Sequence, residues 1–190
     1  MITDVVTIVT EVQKRITMSP TNAATGRAEL RDGKPHLVLE RTFSAPIEQV
    51  WDALANSVRL EQWIGRYTGD PASGEIDFYM TAEAVDAPAE RCQIHECQPW
   101  RRAVLEIPGA GEGVRWLLTL DYAQEGEGTR LVFAHELDDA EMAASVGPGW
   151  EYYLDRYVAA VEGRDVASAV WDEYYPAQAD HYRDALAAIV

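Results

Sequence analysis

Large apolar residues recur through residues 149–162 with a helical rhythm. Trp150, Tyr153, Leu154, Tyr157, Val158 and Val161 fall at i, i+3, i+4, i+7, i+8 and i+11, which places them on one helix face. Glu151, Asp155, Arg156 and Glu162 take the other face. Pro148 suits the first turn of such a helix, where its missing N–H is not needed, and Gly163 suits a left-handed stop. A stripe this rich in aromatic rings needs a broad apolar surface to lie on. The segment from about Pro35 to Asp138 supplies one, because its rhythm is mostly that of strands.

His36–Phe43 alternates, with Leu37, Leu39 and Phe43 on one face and Arg41 among them. Pro46 then opens a short helix carrying Ile47, Val50, Trp51 and Leu54, and Ser57 caps a second with Leu60, Trp63 and Ile64 inward. Five further alternating runs follow: Gly74–Glu83, Ala89–Cys97, Arg101–Ile107, Gly113–Ala123 and Thr129–Leu137. Their inward residues include Ile76, Phe78 and Met80, then Cys92 and Ile94, then Trp116, Leu118, Leu120 and Tyr122, then Leu131, Phe133 and His135. Gly126-Glu127-Gly128 reads as a hairpin turn. Short turns between the runs imply an antiparallel meander with one wet face. The expected fold class is therefore α+β: a curved antiparallel sheet of about six or seven strands wrapped on a long C-terminal helix, with two short helices after the first strand.

The flanks are less regular. Val5, Ile8, Val9, Val12 and Ile16 have helical spacing, but in a Val-, Ile- and Thr-rich context that favours strands. Ser19–Gly33 reads as a linker. Residues 1–34 are thus expected to be a weakly ordered extension or short helix, and 35–163 the folded domain. Residues 164–190 form a tail with a short helix, Pro176 in its first turn and Tyr182, Leu186 and Ile189 as its buried stripe. Trp171, Tyr174 and Tyr175 are too many aromatic rings for a free tail, so it should dock on an outer surface or at the mouth of a cavity.

Composition sharpens this picture in two ways. Six Trp and nine Tyr in 190 residues either fill the core or line a pocket. A formal charge of −16, from 32 acids and 16 bases, argues against nucleic acid or an anionic membrane as partner. Two cysteines, no secretory signal and no membrane-length apolar run make a reducing cytoplasm the expected location. Cys92, His95 and Cys97 invite a zinc reading, but strict alternation puts Cys92 opposite the other two, so neither a metal site nor a disulfide is expected. No nucleophile elbow, metalloprotease helix, phosphate loop or dinucleotide fingerprint is present, and no cofactor is expected.

Several of these residues together resemble a known superfamily. They are Leu39-Glu40-Arg41-Thr42-Phe43-Ser44-Ala45-Pro46, Val50-Trp51-Asp52-Ala53-Leu54, the Leu60 and Trp63 pair, Gly128-Thr129-Arg130-Leu131 with His135, and Gly147-Pro148-Gly149-Trp150-Glu151-Tyr152-Tyr153. This set is similar to the SRPBCC superfamily of START/Bet v 1-like helix-grip proteins. It looks most like the branch named for the activator of the heat-shock-protein-90 ATPase, over roughly Pro35 to Gly163.

The resemblance implies a cavity between sheet and helix that binds a small hydrophobic or amphipathic molecule. Candidate lining residues are Arg41, Trp63, Phe78, Trp116, Phe133, His135, Trp150, Tyr153 and Tyr157. Arg41 and His135, polar on an apolar face, either orient a polar group of the ligand or are satisfied internally. Two alternatives stay open. One is a cyclase- or hydrolase-like enzyme using Arg41 or His135 in the same cavity; the other is a co-chaperone or stress-response partner. A monomer or weak homodimer is expected.

Overall fold

The structure, a computed structural model, describes residues 23–109 and 113–190. In chain order the main elements are β1 (Arg27–Arg31), β2 (Lys34–Phe43), α1 (Ile47–Ala55), α2 (Ser57–Leu60), β3 (Arg66–Thr68), β4 (Glu75–Tyr79), β5 (Glu90–Gln98), β6 (Arg102–Pro108), β7 (Arg115–Glu125), β8 (Gly128–Glu136), α3 (Ala140–Val161) and α4 (Ala179–Ala187). All strand pairs are antiparallel in one sheet of order β1-β2-β8-β7-β6-β5-β4-β3. The run β3 to β8 is a meander, and β2 pairs with its last strand. Helices α1 and α2 fill the crossover. The architecture is the helix grip that the alternation predicts, with eight strands rather than six or seven.

The two additional strands escaped the pattern for physical reasons. β1 lies within what reads as a linker. It is an edge strand whose Arg27, Glu29 and Arg31 are charged, as befits an edge that must not pair with another chain. Its signal is Asp32-Gly33, both at positive φ (50° and 78°), the dipeptide of a tight hairpin into β2. β3 is only three residues long, below the length at which alternation is visible. Residues Val5, Ile8, Val9, Val12 and Ile16 lie outside the described residues.

Helix α3 begins well before Pro148. Asp139 caps it, Oδ1 accepting from the N–H groups of Glu141 (2.9 Å) and Met142 (3.0 Å), and Pro148 lies inside the helix. Its far end stops as expected, with Gly163 at φ 67°. The cap of α2 is also one residue earlier than expected. Asn56 Oδ1 accepts from Val58 and Arg59, while Ser57 Oγ bonds the backbone of Tyr67 and ties the helix to β3.

The core sits between the concave sheet face and α3. Leu37, Leu39, Phe43, Leu131 and Tyr157 are fully buried there. Tyr157 stacks on Trp63 (4.3 Å, 7°), and its hydroxyl donates to Val50 O at 2.6 Å. The C-terminal segment packs on α3 and against β1 and β2. Helix α4 starts at Ala179, three residues beyond Pro176. Its Tyr182 and Leu186 are fully buried.

Tyr182 fits only because Gly147 carries no side chain; a Cβ there would overlap the Tyr182 ring. In an isolated helix, Gly→Ala gains about 1 kcal/mol. Here the overlap costs about 1–3 kcal/mol and should win. Gly147→Ala should therefore lower the melting temperature and speed proteolytic loss of the segment after Gly163. An unchanged digestion pattern would show that the docking tolerates the methyl group.

Candidate ligand-binding site

Over β4 to β7 the sheet and the helices leave a void. A cavity of about 150 Å³ lies between the concave face of those strands, α1, α2 and the middle of α3. Its wall includes Trp51, Trp63, Phe78, Leu105, Leu120, Phe133, Trp150 and Leu154. Among the described residues, the polar side-chain atoms of its lining are the Cys92 and Cys97 thiols, the Met80 thioether, the Trp51, Trp63 and Trp150 indole N–H groups and the Tyr67 hydroxyl. Trp63 Nε1 donates to Ala53 O (2.9 Å), Trp150 Nε1 to His135 Nδ1 (3.1 Å) and Tyr67 Oη to Ala55 O (2.5 Å). A space of this volume and lining suits an apolar group about the size of a benzene ring.

Beside it is a more open chamber of about 660 Å³, bordered by Glu83, Glu90, Trp116, Ser145, Gly149, Tyr152, Tyr153 and Trp171. Met80, Ile107 and Trp150 border both spaces and form the partition between them. The chamber alone is within the usual size of small-molecule sites.

The sequence candidates divide among these places. Trp63, Phe78, Phe133 and Trp150 line the inner cavity; Trp116, Tyr153 and Trp150 line the chamber. Trp150 packs on Phe133 at 4.6 Å. Tyr153 reaches across to the segment after β4, its hydroxyl donating to Glu83 Oε1 (2.9 Å) and lying 3.9 Å from Met80 Sδ. Tyr157 borders neither space and belongs to the solid core. Trp51, Tyr67, Met80 and Leu105 are wall residues that were not singled out. Inward alternation marks strand residues of this kind, but it does not separate a cavity wall from a packed core.

Arg41 also borders neither space, so its role as a ligand anchor is corrected. It is on the concave face, but α3 lays two carboxylates over it. Its guanidinium pairs with Glu151 Oε2 and with Asp155 Oδ1 (2.7 Å) and donates to Thr25 Oγ1 (3.0 Å). Glu151, 2% exposed, is the hub of this knot. It also accepts from the Thr25 and Gly26 N–H groups and from the Tyr182 hydroxyl. Burial pushes the Glu151 pKa up, but the Arg41 charge and these donors outweigh it, and the carboxyl is held below its ordinary range. One buried charge thus clamps the chain entering β1, strand β2, α3 and the C-terminal helix.

His135 is fully buried behind Trp116 and Trp150. Because Nδ1 accepts from Trp150, the neutral ring carries its proton on Nε2, which has no partner among the described residues. Burial, and then the nearby His36, lower its pKa to about 3 from 6.5. The unfolded chain therefore takes up a proton below about pH 6.5 that the folded chain refuses until about pH 3. Stability should fall with pH across that window, by about 2 kcal/mol between pH 7 and pH 5. Urea unfolding at the two pH values checks this, and His135→Gln should flatten the difference.

The cysteines sit differently from the alternation. The register shifts between Ile94 and Glu96, and this bulge returns Cys97 to the concave side, where it and Cys92 both border the inner cavity. His95 stays on the other face, with Nε2 3.1 Å from a Glu106 carboxylate oxygen. Both cysteines are free, and burial pushes the Cys92 thiol up to about 11, which disfavours the thiolate that a metal or a nucleophilic mechanism needs. Among the described residues no group of three or more potential ligands could hold a metal ion, and no helix is long and apolar enough to cross a membrane.

The geometry has clear relatives. The chain is similar to CalU16 from Micromonospora echinospora, in its crystal structure (22% identity, 87% of this chain and 95% of that one, TM-score 0.63) and in its solution structure (19%, 91% and 100%, 0.68). It is also similar to DynU16, described as a putative protein in the dynemicin biosynthetic locus (17% identity, 69% of this chain and 49% of that one, TM-score 0.55). At these identities the likeness establishes the fold alone. No curated protein matches the sequence. The sequence pattern of the family described as activator of Hsp90 ATPase homolog 1-like protein matches residues 44–162, from the end of β2 through α3. The chain belongs to that family, within the SRPBCC superfamily of helix-grip proteins.

Proposed function

We propose that this protein binds a small hydrophobic or amphipathic molecule between the sheet and α3. The observation that carries the reading is the pair of adjoining spaces, an apolar cavity and an aromatic chamber, which share Met80, Ile107 and Trp150 as wall residues. Close packing normally eliminates such volume, and its persistence favours an occupant. The setting of DynU16, in a biosynthetic locus, is compatible with a small-molecule partner.

The enzyme alternative has less support. Arg41 is committed to carboxylates, His135 is held neutral behind Trp116 and Trp150, and among the described residues no hydrogen-bonded nucleophile–base pair borders either space. The family's name supports a co-chaperone partner, but no feature of the site favours it. Native mass spectrometry of protein purified from its own host is the test. A small co-purifying mass, released on denaturation, is expected; a mass equal to the bare polypeptide in every preparation counts against the proposal.

A further inference from the structure

The chamber differs from the inner cavity in its charge. Glu83 and Glu90 border it, while among the described residues no Lys, Arg or His borders either space. Glu83 accepts from Tyr153 but has no ion-pair partner among the described residues, and Glu90 has none either. The base on α3, Arg156, lies outside the chamber's lining but against its wall: it donates to Trp63 O (2.8 Å) and to the Tyr152 hydroxyl (3.1 Å), and its guanidinium lies 5.1 Å from the centre of the Tyr152 ring, so that ring is already engaged by a cation. The same chamber is lined by the rings of Trp116, Tyr153 and Trp171, and the Tyr153 hydroxyl contacts Glu83. Aromatic faces and unpaired carboxylates attract the same kind of group, a weakly hydrated organic cation. Beyond the partition the cavity wall is almost wholly apolar and, among the described residues, carries no charged side chain.

We infer that the ligand is a hydrophobic amine, with a slender or flat apolar body directed past Met80, Ile107 and Trp150 and a protonated nitrogen held in the chamber by Glu83 and Glu90. This rests on the small-molecule reading above and specifies its chemistry. A ligand acid is disfavoured twice over, by the two carboxylates and by the −16 charge of the chain. Trp171 gives the C-terminal segment a part in the site, since it closes one side of the chamber and meets Tyr152 edge-on at 5.6 Å.

The test uses the full chain and a matched set of naphthalene probes bearing an aminomethyl, hydroxymethyl or carboxyl group, titrated by calorimetry at neutral pH. The amine should bind about tenfold tighter than the alcohol, and the acid weakest. In the Glu83→Gln/Glu90→Gln variant, whose fold is checked by its melting curve, the amine should fall to the affinity of the alcohol, while the alcohol is unchanged. Equal binding of amine and alcohol to the native protein overturns the amine assignment and leaves the cavity reading standing. An amine preference that survives in the double variant also overturns the assignment, because it then stems from overall charge. Failure of all three probes overturns both.

Discussion

Arg41→Met should destabilise the protein by about 3 kcal/mol or more, a fall in melting temperature of about 6–12 °C for a chain of this size. The substitution leaves the Glu151 carboxylate 2% exposed with neutral donors but without its positive partner. Removing one member of a buried pair costs more than the pair contributes, because the remaining charge keeps its desolvation penalty. Arg41→Lys should recover only part of the loss, since an ammonium does not reach Glu151, Asp155 and Thr25 with one rigid fork. Ligand affinity, measured at a temperature where the variant is folded, should be unchanged, because Arg41 borders neither space. Retained stability with weakened ligand binding would reverse the assignment and make Arg41 an anchor after all.

Trp150→Ala should cost a further-reaching 3–5 kcal/mol or so, the usual range for deleting a buried aromatic ring. Trp150 is 8% exposed, packs on Phe133 and donates to His135. Its loss also leaves both ring nitrogens of His135 without a partner among the described residues. Unlike Arg41→Met, this change acts on the site, because Trp150 forms part of the partition. The cavity and the chamber should merge and admit a bulkier ring than the native protein accepts. Trp150→Phe keeps most of the ring but not the N–H, so it should cost nearer 1 kcal/mol and preserve size selectivity. Chemical denaturation of both variants, with probes of graded width, separates the packing role from the partition role. Equal stability of Trp150→Ala and the native protein would mean the helix already tolerates a hole there.

Much of the fold was legible because one side of almost every element is apolar. Leu118, Leu120 and Tyr122 on β7 and the stripe from Trp150 to Val161 on α3 declare their faces through spacing alone. What spacing misses is a device that changes phase or has no apolar face. The bulge at Ile94 to Glu96 reverses the expected side of Cys97. The charged edge of β1 hides a strand in what reads as linker. The start of α3 was legible in Asp139, whose capping carboxylate lies ahead of the more conspicuous Gly147-Pro148-Gly149.

The site was harder to read than the fold. Arg41 and His135 look alike in sequence, as polar residues on an inward face. Their fates were set by long-range partners, Glu151 and Asp155 for one and Trp150 for the other. Glu151 had been placed on the polar face of its helix, where a carboxylate is expected in water. Only the docking of Thr25, Gly26 and Tyr182 around it explains its burial. Glu83 and Glu90 gave no signal at all, because a carboxylate at a pocket mouth has the same local sequence as one on any loop or strand end.

The most direct test of the central claim is a methyl NMR titration of the native protein with a neutral naphthalene probe. The account predicts saturable one-to-one binding, with shifts concentrated at Met80, Ile107, Leu105, Leu118 and Leu120 around the two spaces. It predicts no shift at Val58 or Val190, which are exposed elsewhere. Shifts that never saturate, or that fall on those exposed methyl groups while the cavity residues stay still, would contradict it.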